Sequence, residues 1–458
     1  MKKPSKELFT HIILPFVALA IVVVGIYYCF FAPKSYEDCI PDEAKAVVQI
    51  ETQKAQEIVS SLAEYWGIQA SGINLTKPLY AFITPNEYIG FIAQVKNEQE
   101  IAANIQRLFK EHKCMAPRKN NDLNWTWLNA GWQMAWNSQT LIILGPGTIQ
   151  EQDILTQTIS KLFDFRGSDS FIHTDKYTTM DQQEGDIKIF SSLDAFPTPF
   201  NLLFRLDVPS DIDPSAFNLF AGVHLGKTTQ MIGEITCDEK ETLAAYEAFE
   251  RQNLPISQVH PSYISENSLF FLASWTKGNH LFELLRQDAT FNQVLQGLNR
   301  TIEANSLLQN INGNTSLLIT HLSKDMTPAF SLQAETNNKN LMTNAASWIE
   351  KAKQQNGVTL TKTGNTYCLK SKEKELFFGQ NKDLLFFKSN HSIDSDKGKD
   401  IANEAIGCRQ YFRVNLKELL QQPCVTGATK DFFATLFKGH TTLTYKALEK
   451  RRVTLEIK

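Results

Sequence analysis

The chain has 458 residues, of which 43% are hydrophobic and 21% are charged, and its formal net charge is −3. Proteins that bind nucleic acid carry an excess of positive charge, which this chain lacks, so a nucleic-acid partner is not expected. The length is enough for two or three domains, and the hydrophobic content allows a sizeable buried core.

An uncharged stretch runs from Ile12 to Ala32, close to the start of the chain. As a helix rising about 1.5 Å per residue it would span roughly 30 Å, the thickness of the hydrocarbon core of a bilayer. Three of the first six residues are lysines, which predicts a cytoplasmic N-terminus and an exported body. We therefore expect cytoplasmic residues at 1–11, an uncleaved transmembrane signal anchor at 12–32 in the inner membrane, and a linker at 33–43.

Two other interpretations of this stretch stay open. A cleaved signal peptide ending at Ala32 would place Pro33 first in the mature chain, which is unfavourable. A lipoprotein would be acylated at Cys29, but Tyr27 and Tyr28 stand where small residues are expected. The two tyrosines suit the aromatic belt at a membrane interface instead.

Residues 44–254 and 255–458 are interpreted as two diverged copies of one pattern, in the periplasm or extracytoplasmic space. Each copy has an opening strand, a strand pair, an amphipathic helix, a meander of short strands and a closing hairpin. Helices grouped with antiparallel strands, without βαβ alternation, indicate an α+β class. The predicted fold is thus an N-terminal transmembrane helix followed by two diverged copies of an antiparallel-sheet-plus-helices unit.

The amphipathic helices of the two copies are predicted at 98–111 and at about 339–355. Each has apolar residues at helical spacing. Asn97 and Asn337 precede them and are the predicted N-caps, because a short amide side chain can accept the first free backbone N–H groups of a helix.

Four tryptophans and a methionine lie close together after the first of these helices: Trp125, Trp127, Trp132, Met134 and Trp136. With a strand period of two, the first two residues share one face of their strand and the other three share one face of the next. A hairpin turn between the strands can bring both sets to one side. An exposed aromatic face would bind sugars, peptides or protein partners, whereas the alternative is a core-facing sheet surface. Apolar residues on the comparable strands of the second copy favour packing.

The sequence carries no recognisable catalytic signature. Fragments of the penicillin-binding set occur at Ser265, Ser274 and Lys362, but in the wrong order. The nine histidines include no pair four residues apart, which a helical zinc site would need. The acidic cluster at 207–213 is interrupted by prolines and is interpreted as a turn. No catalytic residue, cofactor or metal site is therefore predicted.

Seven cysteines occur, one of them inside the uncharged stretch. The other six allow fifteen disulfide connectivities, among which spacing does not choose. Cys408 and Cys424 are the closest pair, and most of the six are expected to be small buried hydrophobic residues.

The segment Ile40-Pro-Asp-Glu-Ala-Lys-Ala-Val-Val-Gln-Ile50 follows the linker. It resembles the opening of uncharacterised single-pass, membrane-anchored extracytoplasmic proteins of the Bacteroides group, which also share a strand-rich, duplicated body. The resemblance implies a cell-envelope protein of unassigned function. It carries over no catalytic residues.

The sequence therefore favours a non-enzymatic partner-binding or scaffold protein of the cell envelope, with the membrane and envelope proteins as its partners. The alternative is a binding module for a hydrophobic or glycan ligand, at the cleft between the copies or on the tryptophan-rich face. A hydrolase-type enzyme is third, because active sites assembled from distant residues leave no sequence signature.

Overall fold

The computed structural model describes residues 35–120, 122–195, 205–206, 208–259, 268–325, 327–371, 374–389, 399–425, 430, 434, 439–449 and 451–458. Within them the chain forms two compact units. Of the described residues, those at 35–44 and 66–179 form the first unit, and those at 45–65 and 180–458 form the second.

Twenty strands occur among these residues: β1 (Ala46–Ile50), β2 (Leu79–Ile83), β3 (Ile89–Gln94), β4 (Arg118–Asn120), β5 (Leu123–Trp127), β6 (Gln133–Trp136), β7 (Thr140–Gly145), β8 (Ile187–Ser192), β9 (Phe217–His224), β10 (Thr229–Cys237), β11 (Phe270–Lys277), β12 (Ile311–Leu322), β13 (Pro328–Thr336), β14 (Val358–Thr363), β15 (Thr366–Ser371), β16 (Lys374–Asn381), β17 (Leu384–Lys388), β18 (Gln410–Asn415), β19 (Thr442–Ala447) and β20 (Arg452–Ile457). The α-helices are α1 (Gln56–Trp66), α2 (Glu98–Lys110), α3 (Gln152–Leu162), α4 (Asp175–Asp181), α5 (Lys240–Gln252), α6 (Gly278–Gln287), α7 (Ala289–Asn299), α8 (Ala304–Gln309), α9 (Ala345–Lys353), α10 (Lys399–Ala405) and α11 (Leu416–Gln421).

The first unit is built on an antiparallel sheet in the order β2-β3-β7-β6-β5-β4. Helix α2 covers one face, because Ile101, Ile105 and Leu108 recur at helical spacing and are buried against the sheet. Helix α3 packs against β6 and β7. The predicted N-cap of α2 is confirmed, since the Asn97 Oδ1 accepts the backbone N–H groups of Gln99 and Glu100.

The second unit contains fourteen antiparallel strands in the order β1-β8-β9-β10-β20-β19-β18-β11-β12-β13-β17-β16-β15-β14. Its last six strands follow the pairing order found among the six strands of the first unit. Trp348 of α9 is fully buried against Tyr367 and Phe378. The helix that holds it begins at Ala345, so Asn337 is not its N-cap.

The predicted fold class is wrong. The described chain forms a large antiparallel sheet structure of twenty strands with helices, and none of those helices is both long enough and apolar enough to cross a membrane. The transmembrane helix predicted at 12–32 lies outside the described residues. The compact units are not consecutive stretches either, because β1 pairs with β8, which joins residues far apart in the chain. The boundaries proposed at 44–254 and 255–458 stay a prediction.

Candidate functional site

The tryptophan-rich strands β5 and β6 form the predicted hairpin, but their register separates the candidate residues. Trp125 lies opposite Ala135 and Trp127 opposite Gln133, whereas Met134 lies opposite Thr126. Directly opposed residues of an antiparallel pair point to the same face. Trp125 and Trp127 therefore lie on one face of the sheet, and Met134 and Trp136 lie on the other.

Trp132, Met134 and Trp136 are core residues. All three are buried in the cluster that contains the apolar side chains of α2. Trp132 also meets Trp66 edge to face, with the ring centroids 5.6 Å apart. This geometry gives packing energy beyond the buried area alone. The face that α2 covers is thus structural, and it offers nothing to a ligand.

The opposite face holds Trp125 and Trp127 at its margin. Trp127 is 8% exposed, and Trp125 is half-buried beneath the guanidinium of Arg118, whose central carbon lies 5.3 Å from the ring centroid. Further along this face, the Gln133 side-chain amide donates to the Thr156 hydroxyl of α3 at 3.0 Å. Helix α3 therefore closes the middle of the face and leaves the tryptophan end accessible.

A groove runs along that accessible end. Two cavities of about 540 and 590 Å³ adjoin there, and Met115, Trp127 and Gln152 line both of them. We call the combined depression the tryptophan groove. Its other walls include Phe109, His112, Cys114, Arg118, Trp125, Leu128, Thr148, Ile149, Asp153 and Thr156.

Three large apolar side chains of this groove project into solvent. Ile149 is 85% exposed, Met115 is 56% exposed and Phe109 is 41% exposed. Single exposed apolar residues are ordinary, whereas here three of them lie around one depression. Together with the two tryptophans they make an apolar rim and floor.

The backbone that carries this rim is held by local hydrogen bonds. The Met115 N–H donates to the Trp127 carbonyl at 2.8 Å. The Thr148 N–H donates to the Glu151 carboxylate at 2.8 Å, and this bond lowers the pKa of that carboxyl. The exposed side chains of Met115 and Ile149 are thus presented from fixed positions rather than from loose loops.

The groove contains a cysteine, Cys114, whose thiol is not activated. Burial raises the pKa of the Cys114 thiol, so the nucleophilic thiolate is disfavoured. Its Sγ lies 3.6 Å from the Ile105 carbonyl. Among the residues that the structure describes, no cluster of three His, Cys, Asp or Glu side chains has the arrangement of a metal site. Arg118 and Asp153 supply charge of both signs.

Sequence reasoning missed the rim of the groove, although it singled out the tryptophans. Met115 stands in an irregular segment and Ile149 begins a single 3-10 turn, and both are too short for an apolar residue to have a period that reveals its direction. The signal available was their isolation: each is a large apolar side chain outside the α-helices and β-strands. The positions of Met115 and Ile149 beside Trp127 depend on tertiary packing.

Comparisons with known proteins give a family but no activity. No curated protein matches the chain. Two solved structures are similar to parts of it: crystal form I of TP0453 has 8% identity and a TM-score of 0.31 over 48% of this chain and 86% of that one. Crystal form III of TP0453 has 9% identity and a TM-score of 0.30 over 50% and 90%. The model of the family described as "Domain of unknown function (DUF4836)" matches residues 68–431, so the chain belongs to that family.

Proposed function

We propose that this chain is a non-enzymatic protein of the cell envelope that binds a protein partner through the tryptophan groove. The observation that carries the proposal is the set of exposed apolar side chains of Phe109, Met115 and Ile149 around Trp127. A side chain of this size gains about 1.5–3 kcal/mol when it is fully buried. Covering the groove is therefore favourable for a partner.

The expected occupant is a polypeptide segment that places an apolar side chain between Met115 and Ile149. Tryptophan and arginine are the residue types that most often dominate binding energy at protein interfaces, and Trp125 with Arg118 supplies both. Charge of both signs on the walls, from Arg118 and Asp153, favours a peptide over a polyanion.

The location that we propose is the extracytoplasmic side of the envelope. It rests on the uncharged stretch at 12–32, on the lysines before it and on the sequence resemblance to envelope proteins of the Bacteroides group. Protease added to spheroplasts should digest residues 44–458. Protection of the whole body from protease would contradict this location.

Site-specific photo-crosslinking in intact cells tests the partner directly. A benzophenone amino acid at position 115 or at position 149 should capture the same protein, which mass spectrometry identifies. A matched control places the probe at Val294, which is 54% exposed on α7 of the second unit.

The Trp125→Ala substitution, combined with Ile149→Ser, should remove the adduct formed from position 115, because both apolar contacts are lost. If neither groove position captures a protein, or if the Val294 probe captures the same one, the groove is not the binding surface.

A further inference from the structure

The second unit contains another cleft, of about 990 Å³, that lies apart from the tryptophan groove in the chain. We call it the asparagine cleft. Its walls come from the segment before β9, from α5, from the start of α6, from the α8–β12 junction and from the segment after β13. Six asparagines line it: Asn279, Asn310, Asn312, Asn337, Asn338 and Asn340.

Strand pairing explains why so many asparagines meet there. Ile311 at the start of β12 lies opposite Thr336 at the end of β13. This register brings the Asn310–Asn312 segment beside the Asn337–Asn340 segment. The contact is fixed by the Thr336 hydroxyl, which donates to the Asn310 carbonyl at 2.7 Å.

Four of these asparagine side chains have their amides free for a ligand. Within the described residues, the amide groups of Asn279, Asn312, Asn337 and Asn340 make no hydrogen bond to another protein group. Each amide offers two donors and one acceptor oxygen in one plane. The cleft therefore presents both kinds of hydrogen-bonding group from several directions.

An aromatic pair lines another wall. The rings of Phe249 and His280 are 4.7 Å apart at an angle of 60°. The His280 Nε2–H donates to the Arg205 carbonyl at 3.2 Å, which leaves Nδ1 as an acceptor. Burial lowers the pKa of His280, so the imidazole is neutral at neutral pH.

The charges around the cleft balance. Lys277 and Lys339 supply two cations, and Asp211 and Glu283 supply two carboxylates. The Lys277 ammonium is already bonded to the Gln252 side-chain oxygen at 2.7 Å. A phosphate or polyanion ligand would need an excess of positive charge, which this cleft does not have.

We propose that the asparagine cleft binds a neutral oligosaccharide. Sugar hydroxyls both donate and accept, so they can pair with the four free amides, while the apolar face of a sugar ring can pack on Phe249. The volume lies at the upper end of the range of about 300–1,000 Å³ for ligand sites, which leaves room for more than one ring.

A glycan array probed with the full chain in mild detergent tests this proposal. We expect binding to at least one neutral oligosaccharide and none to sulfated or phosphorylated glycans at physiological salt. For the strongest neutral hit, titration calorimetry should show that Asn312→Ala combined with Asn337→Ala weakens affinity by about tenfold or more, since each lost hydrogen bond is worth about 1 kcal/mol.

The control for that pair is Asn365→Ala, in the exposed β14–β15 turn of the same unit, which should leave affinity unchanged. Absence of binding to every neutral glycan, or a hit whose affinity the double substitution does not change, would overturn the proposal. A hit confined to charged glycans would overturn it as well. None of these outcomes bears on the tryptophan groove, whose two groove probe positions, 115 and 149, lie in the other unit.

Discussion

The Asn314 side-chain amide donates to both carboxylate oxygens of Glu335, at 3.0 and 2.9 Å, across the β12–β13 pair. The Asn314 backbone N–H donates to the same carboxylate at 2.8 Å. On its other side, the Asn314 Oδ1 accepts the Ser257 N–H at 2.9 Å. One buried asparagine therefore ties the segment after α5 to two strands. Gly313 makes the approach possible, because a Cβ there would lie 2.4 Å from a Glu335 oxygen and its φ is +142°.

We expect Asn314→Ala to lower the free energy of unfolding by about 2–3 kcal/mol, because the Glu335 carboxylate loses both side-chain bonds and keeps only the backbone N–H, while the N–H groups of Ser257 and Gln258 lose their acceptor. Chemical denaturation monitored by circular dichroism measures the change. Asn365→Ala is the matched control, since its side chain is exposed, and it should change stability by less than about 0.5 kcal/mol. Equal stabilities of the two variants would show that the network is not energetically important.

The two faces of the tryptophan hairpin should differ sharply in a mutational test. Trp136→Ala opens a cavity in the core and should cost about 3–5 kcal/mol of unfolding free energy. Trp125→Ala removes a half-buried side chain at the sheet margin and should cost less than about 1.5 kcal/mol. Denaturant titration of both variants checks this, and similar costs would contradict the assignment of the faces.

Stability should depend on pH through His280. Because burial lowers its folded-state pKa below the ordinary 6.5, the unfolded chain binds this proton more readily. The contribution of His280 to the free energy of unfolding should therefore be complete above pH 6.5. The free energy of unfolding should fall as the pH is lowered from about 6.5 toward the folded-state pKa. The slope is at most about 1.4 kcal/mol per pH unit.

The measurement for His280 compares wild type with His280→Gln by denaturant titration between pH 5 and pH 8. The difference between the two proteins should shrink as the pH falls, because the variant has no imidazole to protonate. His321→Gln, at an exposed position of β12, is the control for replacing a histidine in the same unit. A difference that is constant with pH would show that His280 does not titrate in this range.

The order in which a thiol reagent modifies the cysteines should follow their exposure. All six cysteines in the described residues are free thiols; Cys39, Cys114, Cys237 and Cys408 are buried, whereas Cys368 and Cys424 are partly exposed. Iodoacetamide at pH 8 should modify the latter two first, and burial also raises the pKa of Cys408, which slows its reaction. Peptide mapping by mass spectrometry checks the order. Recovery of a Cys408–Cys424 disulfide from unreduced protein would contradict it.

The sequence predicted a local element well where the residues of that element and its immediate neighbours are enough to determine it. Helix α2 was expected at 98–111 and occurs at Glu98–Lys110, because its apolar spacing and the Asn97 cap agree. Strand β7 (Thr140–Gly145) lies in the predicted meander of short strands, because its residues are apolar and turn residues flank it.

Features that depend on register or on distant pairing were not predictable. Asn337 looked like an N-cap, but it lines a cleft, and only the β12–β13 register places it beside Asn310. The tryptophans were expected on one side of the hairpin. A shift of one residue in register exchanges the faces of a strand, and composition does not fix that register.

The pairing of β10 with β20 has a consequence for the order of biosynthesis. Arg451 and Glu234, 217 residues apart, are joined at 3.4 Å alongside this pair. The backbone N–H and C=O groups along one edge of strand β10 therefore have no partner strand until more than two hundred further residues have been synthesised. During that interval its exposed Ile232 and its open backbone groups are available to the wrong strand. Truncation before β20 would make this exposure permanent, so such a chain should be prone to pair wrongly along this edge.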